Sequence, residues 1–385
     1  MINPLYSSPS ECSGCRVCME SCPINCISME KDSEHFVYPV IDEDKCVDCH
    51  KCEKACPLKN SSKNSIIQAE VGVHSDEEVF KSASGGAFWA LCELLIPQGF
   101  YVAGVRWDEK FNVIYDIFST LEDVKAFRKS KYVMPDTNGI YSKVKSLIKE
   151  GKKVLFTGCP CQVAACKKYV GESENLLLVD LVCHGAPNQD VFNKEVGHIE
   201  QKHKGKLTLF EFKNKVPVHG HINSRTARYV IDSNEYYVGI NDDPFLKGYY
   251  SRLFYRPSCS SCHFASPERV GDITLADAWG VNTIFPDFND MSGTSLILFN
   301  TDKGLKLKSS LASIMTLRNV DVDWAIATNR QLNHPTTVHK KRMTFFSQFD
   351  EMQFKDNVDL CIDNKSLIKK CIKFVYASLR RSLRR

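Results

Sequence analysis

The stretch CSGCRVCMESCP, residues 12–23, decides how the beginning of this chain folds. Its four cysteines follow the spacing C-x2-C-x2-C-x3-C, and Pro23 closes the run. The same spacing returns in CVDCHKCEKACP at residues 46–57, an offset of 34 residues. Two copies of one thiol-rich run indicate two related centres built by a repeated segment.

The composition bears on what so many thiols do. The 385-residue chain has 18 cysteines, 43% hydrophobic and 25% charged residues, which suits a soluble globular protein of two or three domains. The opening MINPLYSSPSEC lacks the basic and apolar regions of a signal peptide, and no apolar run approaches the roughly 20 residues of a membrane-spanning helix. We therefore expect a cytoplasmic protein whose clustered thiols bind metal rather than form disulfides.

The two runs resemble those of the bacterial two-cluster ferredoxins. Three thiolates two residues apart can surround one 4Fe-4S cubane, while the fourth cysteine begins a short helix and points to the other cluster. One cluster is expected on Cys12, Cys15, Cys18 and Cys56, and the second on Cys46, Cys49, Cys52 and Cys22. Structural zinc, which also takes four cysteines, is the alternative. Cys26 lies outside the pattern and is expected to be a buried thiol.

Beyond the polar linker at 59–65 the pattern becomes α/β. The segments at 152–157, 161–170 and 176–182 predict a βαβ unit whose two strands lie parallel and side by side. The fold class expected is an α+β ferredoxin-like N-terminal domain followed by a mixed α/β domain with a partly parallel sheet. The predicted boundaries are 1–64, 65–335, and a C-terminal helical region at 336–385.

A second group of cysteines lies in the α/β region. TGCPCQ (157–162) and VCHG (182–185) follow the two strands of the βαβ unit, so Cys159, Cys161 and Cys183 can converge at one sheet edge. RPSCSSCHF (256–264) adds Cys259 and Cys262. Four of these five could hold a third cluster. Buried inert thiols, or zinc at the C-x2-C pair, are the alternatives.

From about residue 70 to 300 the chain resembles the beta subunit of coenzyme F-420-reducing hydrogenases and dehydrogenases. The stretches that carry the resemblance are SASGGAF (82–88), KSKYVMPD (129–136), EGKKVLFTGCPCQVAACKK (150–168), VDLVCHGAP (179–187) and FYRPSCSSCHFASPERVGDITLADAWG (254–280). The resemblance implies an iron–sulfur flavoprotein that binds FAD. Because a plant member of the wider group reduces a chlorophyll intermediate, the fold does not fix the substrate.

The resemblance also implies particular ligands. The cysteines of the third 4Fe-4S cluster would be Cys161, Cys183, Cys259 and Cys262, since the family has threonine where this chain has Cys159. The choice between Cys159 and Cys161 stays open. His184, beside Cys183, is either a proton donor or a hydrogen-bonded structural residue. Asp272 and Asp277 flank a short predicted strand, and we assign them no role.

The flavin site is expected on two of the family stretches. Ser84, Gly85 and Gly86 open a helix, so their amides could face a phosphate of FAD. Lys131 and Tyr132 could add a cation and a ring face. The alternatives are a tight glycine turn, a solvated lysine and a core tyrosine.

The sequence thus predicts an oxidoreductase that passes electrons between 4Fe-4S clusters and FAD. A flavin-free electron-transfer subunit and a structural cysteine–metal interaction protein are the alternatives. The expected partner is a redox protein or a reduced coenzyme, and nothing indicates nucleic acid, hydrolysis or ATP-driven chemistry.

The end of the chain is strongly basic. Residues 364–385 contain eight Lys or Arg and no acid; since the whole chain is net +4, the remainder is net −4. Written on a helix, this tail has an apolar stripe and a basic face, which suits peripheral contact with the inner face of an anionic membrane. A terminal helix docked on the protein is the alternative.

Overall fold

The structure is a computed structural model that describes residues 5–59, 61–137, 139–218, 221–288 and 293–362. Its strands are β1 Ile27–Lys31, β2 Val37–Ile41, β3 Gln68–Val73, β4 Phe100–Trp107, β5 Val113–Phe118, β6 Lys153–Gly158, β7 Leu176–Leu181, β8 Leu207–Val218, β9 His221–Ile231, β10 Asn234–Gly239, β11 Ile273–Asp277, β12 Ser295–Phe299 and β13 Thr316–Val320. Its α-helices are α1 Val17–Glu20, α2 Lys51–Ala55, α3 Asp76–Lys81, α4 Ala87–Leu95, α5 Leu121–Val124, α6 Ile140–Lys149, α7 Pro160–Val170, α8 Gln189–His203, α9 Pro244–Tyr250, α10 Asp302–Leu305, α11 Lys308–Ala312, α12 Val322–Thr328, α13 Arg342–Ser347 and α14 Phe354–Ile362.

The repeated cysteine runs share one backbone conformation. Gly14 and Arg16 have φ of 70° and 61°, and Asp48 and His50, 34 positions later, have φ of 51° and 55°. In each copy the second of these residues is the N-cap of a short helix, α1 or α2. β1 and β2 pair as an antiparallel hairpin between the two runs. The sequence repeat is therefore also a structural repeat, and the ferredoxin-like α+β unit is confirmed.

The second half of the predicted fold class is also confirmed. In the described part of the chain, eight strands form one mixed sheet in the order β13-β3-β12-β11-β7-β6-β4-β5. β11, β7, β6 and β4 are mutually parallel, while the outer strands join antiparallel. β6 and β7 are adjacent and parallel, as predicted for the two strands of the βαβ unit.

Local sequence explains this unit. β6 and β7 are nearly continuous apolar runs, and most of their residues are buried, as expected for parallel strands covered on both faces. α7 begins with Pro160, which has the backbone angle of a first helical turn and needs no amide partner there. The chain then leaves the helix through Gly171 at φ 91°.

A smaller antiparallel sheet, β10-β9-β8, lies beyond the main sheet. Its inner side shares a hydrophobic cluster with α8, α9, α13 and α14, and Phe36 and Tyr38 of the N-terminal hairpin join the same cluster. A second cluster unites Cys15 and Val17 with α6, β6 and α7. The cysteine-rich N-terminal unit is therefore packed against the α/β body through shared apolar contacts.

The predicted basic tail at 364–385 lies outside the described residues, so its helix and its membrane contact stay predictions. Within the described ranges, every helix is too short or too polar to cross a lipid bilayer.

Candidate functional site

Several chain segments meet at the edge where the parallel strands end. The segment with Cys159 and Cys161 follows β6, and the segment with Cys183 follows β7. β3 runs in the same direction as β11, because both pair antiparallel with β12, so the loop that leads to α4 opens at this edge too. This edge is the usual place for ligands in an open α/β sheet.

The predicted third group of cysteines converges there. A cavity is lined by Cys159, Cys161, Cys183, Cys259 and Cys262 together with Met134, Arg256 and residues 184–186. Among the described residues, no Asp or Glu lines this cavity. Sulfur donors without carboxylates are the ligand set that iron–sulfur clusters use.

Cys159 and Cys183 share a hydrogen bond between their side chains. A hydrogen bond from the Cys159 thiol lowers the pKa of Cys183, and the same bond raises the pKa of Cys159 well above its usual range. Burial, followed by the charges of Cys183 and Cys15, raises the pKa of Cys161. All five thiols therefore belong to one group, and the choice between Cys159 and Cys161 stays open.

Backbone amides point at these sulfurs. Gly185 donates to Cys183, Ala186 donates to Cys259, and Phe264 and Ala265 donate to Cys262. Each bond favours the thiolate over the thiol. Amide hydrogen bonds to sulfur are one of the features that set the potential of an iron–sulfur cluster, so the group fits a cubane in donor type and in its surroundings.

The first N-terminal group has the composition that the crossed pattern predicts. Burial raises the pKa of Cys15 to about 12, and the charges of Cys12 and Cys56 act in the same direction. Burial, followed by the charges of Cys15, Cys12 and Cys56, likewise raises the pKa of Cys18. Cys56, from the second run, therefore lies with three cysteines of the first run. The cluster on these four residues stays a prediction that this geometry supports.

The second group is the outer one. A cavity is lined by Cys22, Cys46, Cys49 and Cys52, so the last cysteine of the first run lies with three cysteines of the second. Cys46 and Cys49 are exposed, and Val47 between them is 63% exposed. The loop that carries them thus places this group within reach of another molecule.

Cys26 also lines this second cavity. It is buried, as predicted, and its Sγ lies 3.4 Å from that of Cys22. The sequence pattern gives no place to a fifth thiol here, so its closeness to Cys22 was not foreseen.

The first and third groups are neighbours. Ser261, next to Cys262, donates from Oγ to the carbonyl oxygen of Ser10 at 3.2 Å. The Tyr141 hydroxyl donates to the Cys15 carbonyl oxygen at 3.0 Å. The charge of Cys15 adds to the effect of burial in raising the pKa of Cys161. The three groups therefore lie in the order second, first, third, from the exposed loop to the sheet edge.

The predicted phosphate loop has a packing role as well. A Cβ atom on Gly85 would lie 2.3 Å from the Gly72 carbonyl oxygen and 2.4 Å from the Ser295 amide nitrogen, so only glycine fits between β3 and β12. Gly86 is the N-cap of α4 at φ 93°. Ser84 donates from Oγ to the Thr294 carbonyl oxygen. The phosphate contact stays a prediction, beside a tight turn that the packing itself requires.

Lys131 and Tyr132 have partners within the protein. Lys131 donates from Nζ to the carbonyl oxygens of Ala126 and Arg128 at 2.8 and 2.7 Å. Burial lowers the pKa of this lysine to about 7. Tyr132 stacks on Tyr249 with ring centroids 4.2 Å apart. The alternative of a core tyrosine is thus compatible with the structure, whereas Lys131 is bonded to backbone carbonyl oxygens rather than solvated.

A wide groove nevertheless opens beside Lys131 of the second predicted flavin segment. It has a volume of about 1190 Å³ and is lined by Lys131 and Lys215 among others. Lys215 is buried and donates from Nζ to the Ser84 carbonyl oxygen at 2.7 Å, which brings the groove up to the glycine loop. The described lining residues include seven Lys or Arg and four Asp or Glu, a balance that favours an anionic ligand.

The groove and the cysteine cavity lie close together. Lys131 lines the groove, and Met134 lines the cavity of the third cysteine group. Three residue steps span at most about 11 Å between Cα atoms. A ligand in the groove would therefore lie near that group.

A polar cluster at the same edge was missed from the sequence. Lys213 of β8 pairs with Asp277 at the end of β11, Nζ to Oδ2 2.5 Å. Burial opposes the ionised form of Asp277, but Lys213, and to a smaller extent Ser84, lower its pKa. Burial lowers the pKa of His184, and the charges of Asp277 and Lys213 oppose and add to this shift, respectively. Asp277 could be noticed in the sequence because it ends a predicted strand. Its partner Lys213 lies in a different sheet, 64 positions away along the chain, and belongs to no recognisable motif.

No group of three or more His, Cys, Asp or Glu in the described ranges is compact enough to hold a single metal ion. The cysteine groups instead surround cavities, and their thiols and amide donors fit a larger sulfur-bound cluster.

Comparison with known proteins identifies two regions. Residues 151–322 match the family described as the C terminus of the coenzyme F420 hydrogenase/dehydrogenase beta subunit. Residues 11–60 match the 4Fe-4S dicluster domain. A ferredoxin from Alicyclobacillus acidocaldarius subsp. acidocaldarius is 38% identical over 63 residues, which are 16% of this chain and 67% of that protein. A chain in a xenon-derivatised structure of the F420-reducing NiFe hydrogenase complex from Methanosarcina barkeri matches with a TM-score of 0.45 and 17% identity, covering 70% of this chain and 91% of that one.

Proposed function

Since this chain joins a 4Fe-4S dicluster domain to a coenzyme F420 hydrogenase/dehydrogenase beta-subunit region, we propose that it is an iron–sulfur flavoprotein oxidoreductase. Two N-terminal 4Fe-4S clusters and a third in the α/β body would connect an external redox partner, a protein or a reduced coenzyme, with FAD at the sheet edge. When bound, the clusters carry single electrons and the flavin combines two of them for a hydride-type or organic substrate.

One observation carries the proposal: the three cysteine groups are consecutive neighbours. Cys22 lies with the second run and Cys56 with the first, so the two N-terminal groups interlock. Cys161 is close enough to Cys15 for the charge of Cys15 to add to the effect of burial in raising the pKa of Cys161. Structural metal sites that act separately do not require neighbouring positions, whereas electron transfer requires successive centres to be close together.

The two ends of this series have different surroundings. At the outer end, Cys46, Cys49 and Val47 are exposed, and Ile24 is 39% exposed, which suits brief contact with an electron donor or acceptor. At the inner end, the third group lies beside the groove and the Lys213–Asp277 pair. Electrons would enter or leave the protein at the first end and reach the substrate at the second.

FAD is assigned to the groove. Its volume of about 1190 Å³ is above the roughly 300–1,000 Å³ typical of small-molecule sites and leaves room for a dinucleotide. Lys131 and Lys215 would face its phosphates, and the backbone of Ser84, Gly85 and Gly86 would border the site. The third cluster would be held by Cys183, Cys259 and Cys262 with either Cys161 or Cys159.

The second candidate is a flavin-free electron-transfer subunit that serves a partner enzyme. It is favoured by the contacts of the predicted flavin residues, since Gly85 is closely packed, Lys131 binds two carbonyl oxygens and Tyr132 stacks in the aromatic core. In that case the groove would hold another anionic ligand or a segment of the partner.

Anaerobic reduction of the purified protein separates these candidates. Flavin released by denaturation is identified by chromatography, and the intact protein is then titrated with a one-electron reductant. We expect one FAD per chain, which bleaches together with the cluster absorbance. Cluster bleaching in a protein that contains no flavin, even after incubation with FAD, would favour the electron-transfer subunit.

A further inference from the structure

Arg256 lies between the first and third cysteine groups. Its guanidinium donates from Nε to the Cys12 carbonyl oxygen at 2.7 Å and from Nη2 to the Val37 carbonyl oxygen at 2.9 Å. The same side chain lines the cavity of the third group. A single buried cation, 3% exposed, therefore contacts the first cysteine loop and faces the third.

The backbone of Arg256 is part of the third group. Its amide donates to the Ala186 carbonyl oxygen at 3.0 Å, in the loop that follows Cys183. Its own carbonyl oxygen accepts from the amide of Cys259 at 3.0 Å. The backbone of Arg256 is thus fixed to both segments, while its side chain is held by the carbonyl oxygens of Cys12 and Val37.

Among the described residues, the charge of Arg256 has no acidic partner. Within this part of the chain, Arg256 forms no ion pair with a carboxylate. Two acids of the same region are engaged elsewhere, since Asp32 accepts the amides of a turn and Glu34 pairs with Arg342. The Tyr38 ring, 4.3 Å below the guanidinium, and the two carbonyl oxygens supply only partial negative charge.

A buried cation without a counter-ion is costly, and arginine keeps its charge in proteins. The other buried arginine beside the third group differs in this respect. Arg269, which acts on Cys183 and Cys262, is neutralised by Asp180 at 2.7 Å. Arg256 is about as deeply buried as Arg269, but the described part of the chain provides no anion to balance its charge.

We propose that the counter-ion of Arg256 is the pair of iron–sulfur clusters on either side of it, and that Arg256 is a positioning residue that raises their reduction potentials. This inference rests on the proposed function, because it requires clusters on both cysteine groups. Each cubane with four thiolates is an anion that gains one further negative charge on reduction. A fixed positive charge in a dry site favours the reduced form more than the oxidised form.

The consequence is a favourable place for an electron between the outer cluster and the groove. Electrons from the exposed loop would be held where the first and third groups meet, next to the proposed flavin. The outer group, which Arg256 does not contact, would keep a more negative potential and remain the entry point.

The test compares full-length variants purified without oxygen. Arg256→Met removes the charge but keeps an extended side chain, and Arg256→Lys keeps the charge. Arg318→Met is the matched control, because Arg318 also stacks on aromatic rings but contacts Phe285, Phe288 and Asp287. Redox titration followed by electron paramagnetic resonance gives the midpoint potential of each cluster.

We expect Arg256→Met to shift one or both adjacent clusters to more negative potentials, with little change in Arg256→Lys or Arg318→Met. Loss of cluster iron in Arg256→Met alone would also support the inference, since the charge is then needed to retain the anion. Unchanged potentials in an iron-loaded Arg256→Met protein, or equal effects of Met and Lys, would overturn it. A parent protein without iron and sulfide would instead refute the proposed function, before any variant is compared.

Discussion

Arg269 and Asp180 form an ion pair in the interior, Nη2 to Oδ1 2.7 Å, with side chains that are 1% and 0% exposed. Asp180 also accepts the Gly271 amide and the Thr274 hydroxyl, and Arg269 donates to carbonyl oxygens of residues 264, 266 and 181. These carbonyls lie beside Cys262 and Cys183. One ion pair therefore fixes two of the segments that carry the third cysteine group.

Asp180→Asn should weaken this group. Removal of the Asp180 carboxylate leaves the buried, still charged guanidinium of Arg269 without its counter-charge, and such changes cost about 3–5 kcal/mol. We expect a lower free energy of unfolding in anaerobic denaturant titrations and a loss of iron from the third cluster, while the N-terminal clusters remain. Asp287→Asn, which breaks the exposed pair with Arg318, is the control and should change stability by less than about 1 kcal/mol. Equal effects of the two substitutions would contradict the role given to the pair.

Crossed ligation of the N-terminal clusters can be tested by single substitutions. Cys56→Ala should remove about four of about 12 iron atoms, all from the cluster built by the first run, because Cys56 lies with Cys12, Cys15 and Cys18. Cys22→Ala should damage the cluster of the second run. Cys361→Ala, a buried thiol of α14, should retain all the iron. Spectra that show each substitution harming the cluster of its own run would contradict the pairing.

Alanine substitutions at Gly14 and Gly99 distinguish the effect of backbone strain from the effect of contact with Arg256. Gly14 and Gly99 have φ of 70° and 83°, so alanine at either position costs about 1–2 kcal/mol of backbone energy. A Cβ on Gly14 would lie 2.7 Å from Arg256 Nη1, whereas a Cβ on Gly99 meets nothing within 4 Å. We expect Gly14→Ala to lose cluster iron and Gly99→Ala to lose only stability, as measured by iron analysis and denaturation. Full iron retention in Gly14→Ala would contradict the close contact.

Anion binding in the groove should depend on pH. Burial lowers the pKa of Lys131 and of Lys215 to about 7, well below the usual value near 10.4. Lys129 lowers both pKa values further and Lys213 lowers that of Lys215, while Glu211 and Asp277 oppose the shifts. A phosphate would favour the ammonium form, so binding takes up protons, and FAD affinity should fall as pH rises from about 7 to about 10.

Fluorescence titration of flavin-depleted protein with FAD measures this dependence. Lys131→Met and Lys215→Met should each weaken binding near neutral pH and flatten its decline at higher pH. Lys125→Met is the control, because Lys125 lines the same groove but is exposed and paired with Glu122. An affinity for FAD that does not change between about pH 7 and 10 would show that these lysines do not face its phosphates.

Sequence reasoning succeeded where the determinant is local. The spacing around Cys12 and Cys46 predicted a repeated unit, and the apolar runs that became β6 and β7 predicted two adjacent parallel strands. Their common edge explains why Cys159, Cys161 and Cys183 meet. Gly85 is different, because its need for glycine arises from β3 and β12 closing around it, and only the folded structure shows that contact.

The charged partners could not be predicted for a related reason. Lys213 reaches Asp277 from the smaller sheet, and Arg256 reaches Cys12 across 244 positions of the chain. Neither pair belongs to a motif, and neither is implied by strand periodicity. The adjacency of Arg256 and Cys259 in RPSC was visible, but the electrostatic setting of this arginine became evident only from the packing of the N-terminal hairpin.

Cofactor analysis of the full-length protein, purified without oxygen, tests the central claim most directly. Iron, acid-labile sulfide, zinc and flavin are measured on one sample and divided by the protein concentration from amino-acid analysis. The account predicts about 12 iron and 12 sulfide per chain, from three 4Fe-4S clusters, together with one FAD. About eight iron atoms would remove the third cluster, and stoichiometric zinc without sulfide would contradict the account as a whole.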